Sequence, residues 1–186
     1  MKKVILASSS PRRKELLSSI LNDFEIIPSD IDETFPDTLN LLEVPLYISD
    51  LKANDIYTKN PSCLVIGCDT AIVFDNKLIG KPKNKLDAKK TLMSFSNNWH
   101  YVVTGVTIYC DDKKYQINST NEVYFKSITE QEIDNYLQHD EYKDKAGSYA
   151  IQGIANTFIE KIEGEYEAII GLPIKQLKPI IDELLK

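Results

Sequence analysis

Four apolar residues near the start of the chain, Val4-Ile5-Leu6-Ala7, run directly into Ser8-Ser9-Ser10-Pro11-Arg12-Arg13. So short an apolar run, closed by turn-forming residues, reads as a buried strand followed by a helix start. Ser10 is a good N-cap and Pro11 suits the first helical position. Leu16, Leu17, Ile20 and Leu21 then recur at helical spacing as one buried stripe. A strand that feeds a helix this early is the opening of an α/β architecture, and the remaining pattern agrees.

Phe24 to Pro28 is expected as a second strand, leading into the acidic loop Asp30-Ile31-Asp32-Glu33-Thr34. A helix is predicted from Leu42 to about Tyr57. The apolar stretch Leu64–Phe74 is one long strand, or two separated by a bend at Gly67. Another helix is predicted from Asp87 to about Phe95, and Gly80-Lys81-Pro82 before it cannot be helical. Tyr101–Cys110 and Tyr115–Phe125 are β-rich runs joined by a polar turn at Asp111 to Lys114, as in a hairpin. Thr129 and Glu132 form a capping box for a helix through Leu137. Short strands are expected at Thr157–Ile162 and Tyr166–Ile170, and an amphipathic helix from Pro173 carries Ile174, Leu177, Ile180, Ile181 and Leu184. Interleaved helices and strands give an α/β class with a mixed twisted sheet flanked by helices.

The 186 residues suit a single domain over 1–186, with room for two lobes around a cleft. With 42% hydrophobic and 27% charged residues, the chain falls in the globular range and not among disordered sequences. The net charge of -6 argues against a broad surface for a nucleic acid polymer or an anionic membrane, though not against a local basic pocket. Cys63, Cys68 and Cys110 have no disulfide or zinc-ligand spacing and read as buried thiols. The apolar run before the serines is too short for a signal peptide, and no window approaches a membrane span. The expected location is cytoplasmic.

Five constellations carry candidate chemistry. The turn through Ser8 to Arg13 would present unpaired backbone N–H groups and the positive end of a helix dipole, a setting that suits phosphate. Arg12 and Arg13 oppose that dipole, and a bound polyanion would resolve the conflict; solvated arginines on a capped surface helix fit the same residues. Asp30, Asp32 and Glu33 are either a solvated acidic loop or oxygen ligands for Mg²⁺ shared with substrate phosphates. Asp69, straight after Leu64–Ile66 and beside Thr70, is costly to bury unless paired or metal-bound; a strand-terminating Asx turn is the alternative. Lys52 and Lys81 offer compact charges for phosphate oxygens, although lysines are usually surface residues. In Asp144–Gly153 the small residues allow close backbone approach, and Gln152 can both donate to and accept from the edge of a base. His100 and His139 make no triad or metal pair by spacing.

Taken in order, LASSSPRR, DIDET, LKA (Leu51 to Ala53), GCDT, GKP, TGV (Thr104 to Val106), DKAGSYAIQG and GLP (Gly171 to Pro173) resemble the Maf family. The resemblance implies a Maf/Ham1 (inosine triphosphatase-like) fold with a central cleft, a homodimer, and a pyrophosphatase that converts a nucleoside triphosphate to its monophosphate. Arg12, Thr70 and Gln152 match the dTTP/UTP branch rather than the 7-methyl-GTP branch. Modified pyrimidine triphosphates would be further substrates in a house-cleaning role. By the same resemblance Asp69 is the proton acceptor and Ser8, Arg13, Glu33, Lys52 and Lys81 fit the remaining pocket positions; Mg²⁺ or Mn²⁺ is expected on Glu33 and Asp69. Ala150, Tyr142-Lys143, Asn97-Asn98 and Glu165 depart from the family pattern without removing a charged pocket residue. A non-hydrolytic nucleotide-binding regulator of cell division and a nucleotidyltransferase are the rival readings; the first needs no base, and the second needs an acceptor substrate.

Overall fold

In the computed structural model, which describes residues 2–186, Val4–Ala7 forms strand β1 and is buried along its whole length. It pairs in parallel with β2 (Glu25–Ile26) on one side and β3 (Leu64–Phe74) on the other, with Val4 opposite Leu64 and Ala7 opposite Gly67. Two long strands follow, β5 (Trp99–Cys110) and β6 (Lys113–Phe125), and the strand order is β2-β1-β3-β5-β6-β7, with β4 (Lys77–Ile79) on β3 and β7 (Ile159–Glu163) on β6. The sheet is mixed, because β4 and β7 pair antiparallel.

The chain divides into two compact units, the first built from residues up to Thr70, from 103–119 and from 165–186. Its strands alternate their side chains between two helical layers. Ile5, Ala7 and Val65 pack with Ala53, Ile56 and Tyr57 of helix α2 (Val44–Lys59). Val4, Leu6, Leu64 and Ile66 face the opposite way, onto Leu17 of α1 (Pro11–Ser18) and onto Leu177 and Ile181 of α6 (Ile174–Leu184). Each fully buried Leu or Ile contributes about 1.5–3 kcal/mol, so this sandwich fixes the strands that carry the candidate residues. β5 and β6 turn through Asp111 and Asp112, with φ of 50° and 57°, the left-handed pair that a two-residue hairpin demands.

The second unit takes residues 71–102 and 120–164. β3 runs on into β4 through Asp75 and Asn76, again both with positive φ. Helix α3 (Lys85–Phe95) is capped by Asn84, and α4 (Glu130–Tyr136) opens on the capping box of Thr129 and Glu132. Its core is aromatic: Phe95 stacks on His100 at 4.2 Å and meets Phe125 and Tyr149 edge-on. His100 shares a 2.7 Å hydrogen bond with the Tyr149 hydroxyl, and burial pushes its pKa down to about 3, so it is a neutral core residue.

Several elements differ from expectation. Tyr166–Ile170 is a helix, α5, and not a strand. A short apolar run has no decisive period, and here the ending decides: Gly171, at φ 137°, lets the N–H groups of Gly171 and Leu172 both reach the Glu167 carbonyl. By contrast, β3 takes the first of its two expected forms, one long strand over Leu64–Phe74 with no break at Gly67. β2 keeps only two residues of the expected five, and a 3₁₀ turn at Leu41–Glu43 precedes α2. Another 3₁₀ segment, Ile154–Phe158, takes the first part of the strand expected from Thr157. Among the described residues no helix is long and apolar enough to cross a membrane.

Candidate active site

β1 ends at Ala7, opposite Gly67, while β3 continues past it. Asp69 and Thr70 are therefore in mid-strand, not at a strand end or in an Asx turn, yet just beyond the point where their parallel partner stops. Strand alternation then separates them. Asp69 shares the α2 face with Val65 and Gly67, and Thr70 shares the α1 and α6 face with Ile66 and Cys68.

On the α2 face the helix lies directly on two glycines. A Cβ at Gly67 would come within 2.3 Å of the Ser49 carbonyl and 2.7 Å of the Ala53 nitrogen, and one at Gly105 within 2.3 Å of the Leu46 nitrogen. That close seating lets Lys52 reach the strand, where its Nζ is 2.8 Å from Asp69 Oδ1 and 2.7 Å from Glu33 Oε1. Lys52 and Asp69 are mostly buried, at 12% and 18% side-chain exposure, whereas Glu33 reaches in from the surface. Burial raises the Asp69 pKa from its ordinary value, while the charges of Lys52 and Arg13 oppose the rise. Asp30 and Asp32 are exposed, so Glu33 alone of the acidic trio reaches Lys52.

Gly67→Ala tests this seating. The added methyl meets α2 backbone, and overpacking of this kind costs about 1–3 kcal/mol. The thermal midpoint should fall by about 5 °C. Displacement of Lys52 should lower kcat/KM about ten-fold at temperatures where the variant is fully folded. Unchanged melting and turnover together would show that α2 does not depend on the glycine.

On the opposite face Arg13 is held at three points. Its Nε donates to the Gly171 carbonyl at 3.1 Å, Nη1 to Ser8 Oγ at 3.2 Å and Nη2 to Thr70 Oγ1 at 3.1 Å. A guanidinium has five N–H groups, so two remain for a ligand. Arg12, next to it on the first turn of α1, is partly buried and has no hydrogen bond or ion pair among the described residues. Burial, and then the charge of Arg13, lowers its pKa. The first turn of α1 holds no acidic residue, which leaves its dipole and two guanidinium groups unneutralised.

These faces border an open pocket of about 150 Å³ lined by Ala7, Ser8, Ser9, Ser10, Arg13, Pro28, Ser29, Glu33 and Lys52. Ser8, Arg13, Glu33 and Lys52 thus share one pocket, and Asp69 and Thr70 are hydrogen-bonded to two of its walls. Lys81 and Gln152 belong to the second unit, each exposed: Lys81 follows Gly80, whose carbonyl accepts from the Gly147 N–H at 3.2 Å, and Gln152 stands in the turn before Ile154–Phe158. Among the described residues no three His, Cys, Asp or Glu side chains gather as a metal-binding group. Glu33 and Asp69 nevertheless offer hard oxygen donors around one ammonium, a set that suits a cation completing its shell with phosphate oxygens and water. Sequence reasoning gave no role to Ser29, which lines the pocket, nor to Thr104; the TGV motif was the available signal for the latter.

A family model described as Maf-like protein matches residues 3–184. The chain belongs to the Maf family. A Maf relative from Bacillus pumilus (strain SAFR-032), named dTTP/UTP pyrophosphatase, is 41% identical over 182 residues, covering 98% of this chain and 96% of the relative. One of the same name from Alkaliphilus metalliredigens (strain QYMF) is 42% identical over 184 residues, covering 97% and 95%. Among solved structures, a HAM1 protein from Coxiella burnetii superimposes with a TM-score of 0.58 at 12% identity, over 98% of this chain and 100% of that one, so the Maf chain shares its fold. In this Maf protein the LASSSPRR, LKA and GCDT motifs meet in the first unit as the pocket and its two hydrogen-bonded walls.

Proposed function

We propose that this chain hydrolyses dTTP and UTP, and modified pyrimidine triphosphates of the same shape, to the nucleoside monophosphate and pyrophosphate. One observation carries the reading: Asp69, a mostly buried carboxylate with a raised pKa, is paired with Lys52 beside a pocket lined by Ser8 and Arg13. The names of the relatives support the substrate. Asp69 takes a proton from a water molecule as its oxygen attacks the α-phosphorus. The bond from that phosphorus to the α,β-bridging oxygen breaks, and pyrophosphate leaves with the electron pair. Arg12, Arg13 and Lys52 neutralise the phosphate charge, and Ser8 keeps a hydroxyl proton to donate. Glu33 and Asp69 would hold Mg²⁺ or Mn²⁺, which supplies Lewis acidity at the phosphate oxygens. The family resemblance supports charge from Lys81 on the phosphates, base contact through Gln152, and a homodimer working in the cytoplasm.

The test is pyrophosphate release from dTTP, UTP, CTP, GTP and 7-methyl-GTP with Mg²⁺, run in ¹⁸O-water. Preferred turnover of dTTP and UTP, with the label on the monophosphate, is the expected result. Release of orthophosphate would overturn the α-phosphorus assignment, and tight binding without release would identify a nucleotide-binding regulator.

A further inference from the structure

We propose that Thr104 is a positioning residue for Arg13, acting through Thr70; this rests on the reading of the pocket as a triphosphate site. Thr104 is fully buried on β5, on the same face as Val106. Its hydroxyl donates to the Ala168 carbonyl at 2.7 Å, which uses its one proton. Toward Thr70, 2.9 Å away, Thr104 can therefore only accept. Thr70 must spend its own proton on that bond, and its oxygen meets Arg13 Nη2 at 3.1 Å purely as an acceptor. The hydrogen bonds thus run in one direction, from Arg13 to Thr70 to Thr104 to Ala168.

The other side of the guanidinium closes the ring. Arg13 Nε donates to Gly171, three residues beyond Ala168 at the end of α5. Two anchors on one short segment, each reached by a fixed acceptor, set the plane of the guanidinium and so the aim of its two remaining N–H groups. Thr104 also satisfies a carbonyl near the end of α5 that a five-residue helix leaves largely unpaired. If the Thr104 hydroxyl is removed, the Thr70 proton loses its fixed acceptor and the hydroxyl is free to rotate, so the oxygen that accepts from Arg13 is no longer held in place.

Thr104→Val keeps the shape and deletes the relay. With dTTP, KM should rise about ten-fold, the weight of one hydrogen bond to a charged group, with kcat changed by less than about three-fold. The Kd of a non-hydrolysable α,β-imido analogue of dTTP should rise by the same factor. Thr104→Ser should restore both values to within about two-fold, because it returns the hydroxyl. In an Arg13→Ala background Thr104→Val should add nothing further, as expected for residues that act through one contact. A purely structural Thr104 would lower the melting temperature, leave KM unchanged and act equally in both backgrounds; either an unmoved KM or an equal effect without Arg13 overturns the proposal. Thr104→Cys, a weak donor of similar size, serves the same comparison if the valine variant fails to fold. Should the wild-type protein bind the analogue yet release no pyrophosphate, the hydrolase reading falls while the Kd series still decides the role of Thr104.

Discussion

Asp69→Asn should lower kcat for pyrophosphate release from dTTP by about 10²–10⁴-fold, the usual worth of a positioned general base. Asparagine matches aspartate in shape, and its amide oxygen can still accept from Lys52 Nζ, which sits 2.8 Å from Asp69 Oδ1. What it cannot do is take a proton at neutral pH. Lys52 also keeps Glu33 as a partner, so the substitution strands no buried ammonium. Melting temperature and KM should therefore stay near the wild-type values while turnover collapses. Near-normal kcat in a folded Asp69→Asn protein would remove Asp69 from the chemistry.

Lys52→Met should lower kcat/KM about 100-fold at neutral pH, because it removes a phosphate-facing charge and mistunes the base. Burial is the largest influence on Asp69 and raises its pKa, and the Lys52 charge is the strongest opposing one. Without Lys52, Asp69 holds its proton to higher pH. Since only the ionised carboxylate can accept a proton, the acidic limb of the kcat/KM profile should move toward higher pH. Stability supplies an independent readout with a defined sign. The folded variant binds a proton at Asp69 more readily than the unfolded chain does, so its stability should fall as pH rises and recover as Asp69 protonates. Lys52→Arg restores a positive charge with different reach and geometry, and should return the limb toward its original position while leaving kcat low. A Lys52→Met profile with an unmoved acidic limb would mean that Lys52 does not tune Asp69.

These expectations draw on features of differing legibility. The buried strand before Ser8, the Ser10 cap, the Thr129 capping box and the hairpin at Asp111 follow from local pattern and appear as expected. The identity of the charged residues was legible too, since eight motifs in order pointed to Ser8, Arg13, Glu33, Lys52 and Asp69. The expected strand at Tyr166–Ile170 is a helix because five residues with two adjacent isoleucines fit either form. The turn at Gly171 and the packing of Ala168, Ile169 and Ile170 select the helix. Asp69 lies within the long strand expected over Leu64–Phe74, whereas the end of β1 beside it is set by strand pairing and not by local pattern.

The sequence by itself determined the alternation of helices and strands, the caps, the apolar faces and the side chains with the right chemistry, because each depends on residues a few positions apart. Only the tertiary structure decided how those side chains are used. Lys52 meets Asp69 because Gly67 and Gly105 let a helix lie on the sheet, and Arg13 is aimed by partners 57 and 158 residues away. The direction of the Thr70–Thr104 hydrogen bond is set by a carbonyl 64 residues from Thr104. Such contacts carry no local period, and they exist only once the strands are paired and water is excluded from between them.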